Sequence, residues 1–276
     1  MLSLLLIAAC AFQSVSPCAD HTGHNHHLIK RQQVSPTNPS HITTDWAYDA
    51  SYNWGAIKPE YETCHTGTQQ SPVALTLTEG LSHYHYPSFS QYDRNVSGNW
   101  SNWGYGPKFD LDHPKDEYTS LPTLKWDNET AYLRGWHIHT PADHSVGGDR
   151  SKAELHLVHV NATGNETAVI AVRLDPGTAS NPFFAQLPPN VPYRDPVPVP
   201  GVELNIDLIL QAVGHLTDFW SYRGSLTSPP CREGIRWFVA RNIVFTSVKE
   251  MRDLLRVTTF SAREEQEIWL HEINGA

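Results

Sequence analysis

Basic residues are scarce: 20 Lys and Arg stand against 29 Asp and Glu in 276 residues, a formal charge of -9. With no basic stripe, this argues against a nucleic-acid surface. Long apolar runs are missing as well. Leu2 to Ala11 is too brief to span a bilayer, and no second such segment follows. The polar end Glu272 to Ala276 excludes a lipid-anchor signal of the hydrophobic-tail type, so no membrane anchor is expected. No internal repeat is visible. Cysteine is sparse too, with four residues in the whole chain.

What is present starts with the apolar run, which reads as a secretory signal over residues 1–19. Residues 20–31 hold His21, His24, His26 and His27 and end at Lys30-Arg31, the look of a propeptide with a dibasic processing site. The histidines could hold a metal loosely or be a solvated tail. Residues 32–44 read as a linker and residues 45–276 as one folded domain. Secretion to the outside follows. Five Asn-x-Ser/Thr sequons, at Asn95, Asn99, Asn128, Asn161 and Asn165, agree with it. Cys10 and Cys18 fall in the signal, leaving Cys64 and Cys231, for which a disulfide is the default in an oxidising compartment and two free thiols the alternative.

Nine Trp, eleven Tyr and nine Phe beside twenty Pro indicate a β-rich, loop-rich body. The patterning predicts strands over Val73–Leu77, Lys108–Leu111, Leu121–Trp126, Ala131–His139, Ala153–Val160, Ala168–Leu174 and Ile235–Val239. Helices are predicted over Asn205–Val213 and Ser247–Leu255. Pro188 to Gly201, with six prolines, reads as a loop that cannot enter a sheet interior.

Two histidine runs stand out. Side chains alternate along a strand, so His137 and His139 in Trp136-His137-Ile138-His139 point the same way. In Glu154-Leu155-His156-Leu157-Val158-His159, Glu154, His156 and Val158 share one face. If the runs are neighbouring strands, three imidazoles meet over one patch, the donor set of a catalytic zinc site with an open fourth position. Alone, His-x-His is as easily an ordinary pair among 16 histidines. Glu154, on the face of His156, adds the acceptor that a metal-bound imidazole needs.

Gln70-Ser71-Pro72-Val73, Ala153 to His159 and Gly224-Ser225-Leu226-Thr227-Ser228-Pro229-Pro230-Cys231, with His137-x-His139, resemble the α-class carbonic anhydrases in order and separation. The resemblance runs from about Trp54 to Val248, and it is to the secreted, eukaryotic type. It implies a mainly β single domain: a large twisted, mostly antiparallel central sheet with short peripheral helices. It also implies Zn2+ on His137, His139 and His156, and reversible hydration of carbon dioxide to bicarbonate by attack of zinc-bound hydroxide. Glu154 would support His156. Thr227 would orient the hydroxide, held by Asp143 where the family usually has a glutamate. Val158, Val169, Leu226 and Trp237 would form the apolar wall for carbon dioxide, with Thr227 and Ser228 beside the substrate. Tyr222 would belong to the hydroxide network, and Cys64 and Cys231 match the family's disulfide. The partners implied are carbon dioxide, bicarbonate and water.

Three departures bear on rate and support. Asn99 falls at the position of the proton-shuttling histidine and cannot titrate near neutral pH, which predicts turnover below the family's best of about 10⁶ s⁻¹. His83 or His85 could substitute. Gly135 replaces a glutamine that supports the first ligand. Ala56 replaces an entrance tyrosine, and the stretch after Phe260 departs from the usual ending. Binding modules on this scaffold that have lost catalysis typically lack a ligand histidine, whereas this chain keeps all three. Metal sequestration through the His-rich leader is a third reading.

Overall fold

A computed structural model describes residues 44–192 and 197–275. The signal, the propeptide and most of the linker lie outside the described residues. In chain order the strands are β1 (Ser88–Ser90), β2 (Asn95–Asn102), β3 (Pro107–Leu111), β4 (Thr123–Trp126), β5 (Glu129–His139) and β6 (Ala153–Val160). They continue with β7 (Glu166–Gly177), β8 (Val199–Asn205), β9 (Phe219–Ser225), β10 (Glu233–Ala240) and β11 (Val244–Ser247). All join one mixed sheet of 11 strands, in the order β8-β2-β3-β5-β6-β7-β10-β9. Long strands are shared lengthwise. The first half of β5 pairs with β4 and its second half with β3. Likewise β7 takes β10 along Ala168–Ala171 and β11 along Leu174–Gly177. Those two pairings are parallel and the others antiparallel, as expected of a mostly antiparallel sheet.

The period-2 rule separates the faces as expected. Trp136 and Ile138 of β5, Leu155 and Leu157 of β6, and Ile170 and Val172 of β7 enter the main core. There Trp136 packs against Trp100 at 5.4 Å and Phe183 at 5.4 Å between ring centres. Each such side chain contributes about 2–3 kcal/mol by burial, which fixes the register because a one-residue slip would turn it to the other face. His137, His139 and His156 are thereby held on the opposite side. A second core lies on that side, built from Val73, Leu75, Val169, Trp220, Tyr222 and Trp237.

Two elements differ from their sequence pattern. Val73–Leu77 is not a strand: Val73 and Leu75 make single bridges to Gln266 and Val146, with both side chains fully buried. Their alternation reflects burial without a continuous neighbour to pair with. The proline-rich loop ends earlier than expected, since β8 begins at Val199 and includes Pro200. It occupies the sheet edge, where a missing N–H costs no ladder bond. The helices are short: α1 (Thr63–Thr66), α2 (Pro182–Ala185), α3 (Asp207–Ala212) and α4 (Val248–Leu255). The last starts at a capping box in which Ser247 and Glu250 satisfy each other's backbone N–H groups, and it buries Met251 and Leu254.

Candidate metal centre

Strands β5 and β6 set His137 directly across from His156, and His139 across from Glu154. The three imidazole centres lie 4.5 to 5.3 Å apart. One ring nitrogen from each falls within 4.8 Å of the others, and Nε2 of His137 and Nε2 of His139 are 2.9 Å apart. Outer partners fix two of the tautomers. The His139 Nδ1–H donates to the Ser261 carbonyl at 2.6 Å, leaving Nε2 as the free lone pair. The His156 Nε2–H donates to Glu154 Oε1 at 2.7 Å, leaving Nδ1.

Glu154 is itself buried and held. Its Oε2 accepts the His144 backbone N–H at 2.9 Å and its Oε1 lies 2.7 Å from His144 Nδ1. Burial alone would push this carboxyl up, but the His144 charge and the hydrogen bonds from His144 and His156 keep it well below the usual range. The Tyr222 hydroxyl then joins His144 Nε2 (2.7 Å) to Ser71 Oγ (3.0 Å). Burial, followed by the neighbouring imidazoles, pulls His137 well below the ordinary histidine value. Burial also lowers His139, so both rings are neutral at neutral pH, as a metal ligand must be.

The donor chemistry fits Zn2+. Three imidazoles converge, two have their tautomers locked, and no fourth protein donor joins them among the described residues. Two buried oxygens nearby also lack partners. Asp143 Oδ1 accepts the Arg263 backbone N–H at 2.8 Å, whereas among the described residues neither its Oδ2, 3.6 Å from His139 Nδ1, nor the Tyr48 hydroxyl has a hydrogen-bond partner. A cavity of about 440 Å³ opens beside His137, with Val158, Leu226 and Ser228 in its lining.

With this geometry in view, the comparisons are decisive. The sequence model for eukaryotic-type carbonic anhydrase matches residues 49–273. The chain belongs to the carbonic anhydrase family. It is similar to a carbonic anhydrase of Pectobacterium atrosepticum, at 31% identity over 77% of this chain and 82% of that one. Against alpha carbonic anhydrase 4 of Arabidopsis thaliana the identity is 30%, over 73% and 71%. The solved alpha-carbonic anhydrase of Photobacterium profundum superposes with a TM-score of 0.65 at 24% identity, covering 83% of this chain and 99% of that one, a likeness of fold.

The sites read from the family pattern are placed unevenly. The disulfide Cys64–Cys231 is present. Thr227 is buried next to the cavity residues Leu226 and Ser228, but it makes no hydrogen bond to Asp143 among the described residues. Val169 and Trp237 lie in the second core; the Trp237 ring is 5.0 Å from His156. Asn99 is tied to Asp112 Oδ1 through its amide at 3.0 Å. The residue of that hairpin that reaches the histidine cluster is Trp103, 5.2 Å from His137 and 5.3 Å from His139 between ring centres. His85 pairs with Asp127 in the turn that opens β5, and His137 lies ten residues on, about 30 Å along an extended strand. Asn95, Asn128 and Asn165 are exposed and Asn161 half-buried.

Several contributors were missed. Tyr48 packs edge-on against His139 at 5.9 Å, from a segment where Ala56 had suggested a lost tyrosine. Tyr222, by contrast, was expected in the hydroxide network; it sits fully buried behind Glu154, its hydroxyl 2.7 Å from His144 Nε2. The stretch after Phe260 supplies Ser261 to His139 and Arg263 to Asp143. Gly135 has no room for a glutamine, because a Cβ there would lie 2.4 Å from the Phe109 carbonyl oxygen. Among the described residues no group bonds His137 Nδ1.

Proposed function

We propose that the protein catalyses the zinc-dependent, reversible hydration of carbon dioxide to bicarbonate and a proton. The observation that carries this is the convergence of three imidazoles whose outward N–H groups are spoken for by Ser261 and Glu154 at two of the three positions. Zn2+ bound there would lower the pKa of water to about 7 and make hydroxide available at neutral pH. The protein's own work is to orient that hydroxide and to seat an apolar, linear substrate. Among the described residues Asp143 Oδ2 is a buried acceptor with no hydrogen-bond donor, 3.6 Å from His139 Nδ1, and is suited to the Thr227 hydroxyl proton. A threonine that donates there can only accept from the hydroxide, so one lone pair is turned toward carbon dioxide. Val158 and Leu226 offer the apolar wall. Attack by that hydroxide would form the new C–O bond while one C=O electron pair moves onto oxygen. Each hydration would also release one proton, which the chain's own groups or the buffer would have to carry away.

This proton step is proposed to be slow. Among the described residues that line the cavity the one imidazole is His137, a ligand. Asn99 is not titratable and is occupied with Asp112. Stopped-flow hydration should therefore show turnover well below about 10⁶ s⁻¹ that rises with added buffer. Turnover at that upper scale without buffer dependence would overturn the slow-transfer reading. The absence of hydration by zinc-loaded protein would overturn the function.

Secretion and glycosylation belong to the same proposal. The disulfide and the exposed sequons Asn95, Asn128 and Asn165 support an oxidising, extracytoplasmic setting. No helix among the described residues is long and apolar enough to cross a membrane.

A further inference from the structure

Strand β7 carries a second charged group on the sheet face opposite the main core. Arg173 is 5% exposed, and its cross-strand neighbour is Glu154. One guanidinium nitrogen, Nη2, donates to the Arg241 carbonyl at 2.8 Å, but among the described residues the buried Nε–H has no acceptor. Both nearby carboxylates are otherwise engaged. Glu154 holds His144 and His156, while Asp175 accepts Ser151 Oγ and the Lys152 N–H, each at 2.9 Å. Burial lowers the Arg173 pKa, against the fields of Glu154 and Asp175. A buried guanidinium without a carboxylate in contact is costly. Its position 5.9 Å from the Trp220 ring centre offsets part of that.

A cavity of about 540 Å³ lies over this group. Its walls include Leu77, Val146, Trp220, Ile243 and Phe245. Leu77 and Phe245 remain 58% and 56% exposed, an apolar rim around a cationic floor. Arg241 also lines it and pairs with Asp218 at 3.5 Å. We propose that this cavity binds a small organic carboxylate with an apolar body, its carboxylate on Arg173 and its hydrocarbon against Trp220 and Phe245. An inorganic anion would leave the apolar walls wet, and a neutral hydrocarbon would leave the guanidinium unpaired. Among the described residues Arg173 makes no hydrogen bond to the three histidines, and none of them lines this cavity, which is thus distinct from the one beside His137.

Calorimetric titration of zinc-loaded protein with 4-bromobenzoate tests this, with sulfate as the inorganic control. Saturable bromobenzoate binding is expected, retained in His156→Ala and weakened at least tenfold in Arg173→Met. Leu77→Glu, which sets a like charge at the exposed rim, should weaken it comparably and keeps the test valid if Arg173→Met fails to fold. Three results would overturn the proposal: no saturable binding, binding lost in His156→Ala but unchanged in Arg173→Met and Leu77→Glu, or sulfate binding as tightly as bromobenzoate.

Discussion

Glu154 meets two imidazoles with one carboxylate, so its replacement should act on metal affinity before it acts on folding. Glu154→Gln keeps the shape but removes the charge that His156 and His144 share. Zinc affinity should fall 10- to 100-fold, read by competition with a chromophoric chelator; unchanged affinity would contradict the role. Thr227→Ala should leave zinc content at the wild-type level and lower kcat/KM on the order of 100-fold, since it removes orientation alone. Normal kcat/KM would remove Thr227 from the mechanism. At this scale the candidate ligands were legible because His137, His139, Glu154 and His156 sit at i, i+2 spacing within two strands. Ser261 was not, because it meets His139 across 122 residues, and no local period encodes a backbone carbonyl as a partner. Tyr48 and Arg263 were hidden for the same reason.

Between β3 and β5 the sheet closes tightly at one point. Asp110 faces Gly135 and Lys108 faces His137, and the Phe109 carbonyl lies where a Cβ of residue 135 would go. Gly135→Ala should destabilise the fold by roughly 1–3 kcal/mol in urea denaturation. It should also weaken zinc binding, since the strand that must shift is the one that carries His137. Tighter zinc binding in Gly135→Gln would instead revive the idea of a missing glutamine support. The element pattern was legible where strands are central: β5, β6, β7 and β10 follow their apolar runs. Edge and bridge segments were less so. The Asn- and Ser-rich β2 has little apolar alternation to read, and Val73–Leu77 has the alternation without a continuous partner.

Across the whole molecule, Cys64–Cys231 ties segments separated by 167 residues and anchors the loop after Thr227. The chain-entropy model assigns such a bridge about 5 kcal/mol. The double replacement Cys64→Ser, Cys231→Ser should lower Tm substantially, and an unchanged Tm would deny the bridge that role. Acid should also weaken the fold. Burial holds His159 down to about 3, whereas the unfolded chain takes up this proton near 6.5. Stability from His159 is therefore whole above pH 6.5 and is lost as pH falls toward 3. Denaturation at a series of pH values should show this slope flattened in His159→Leu, and an equal slope would contradict it. The central claim is that the three histidines hold the zinc on which carbon dioxide hydration depends. Its most direct test is hydration by the purified protein before chelation, after chelation and after zinc is restored, with His156→Ala alongside. Activity should disappear on chelation, return with zinc and be absent from His156→Ala; hydration that survives chelation or the substitution would rule out zinc on these histidines as its source.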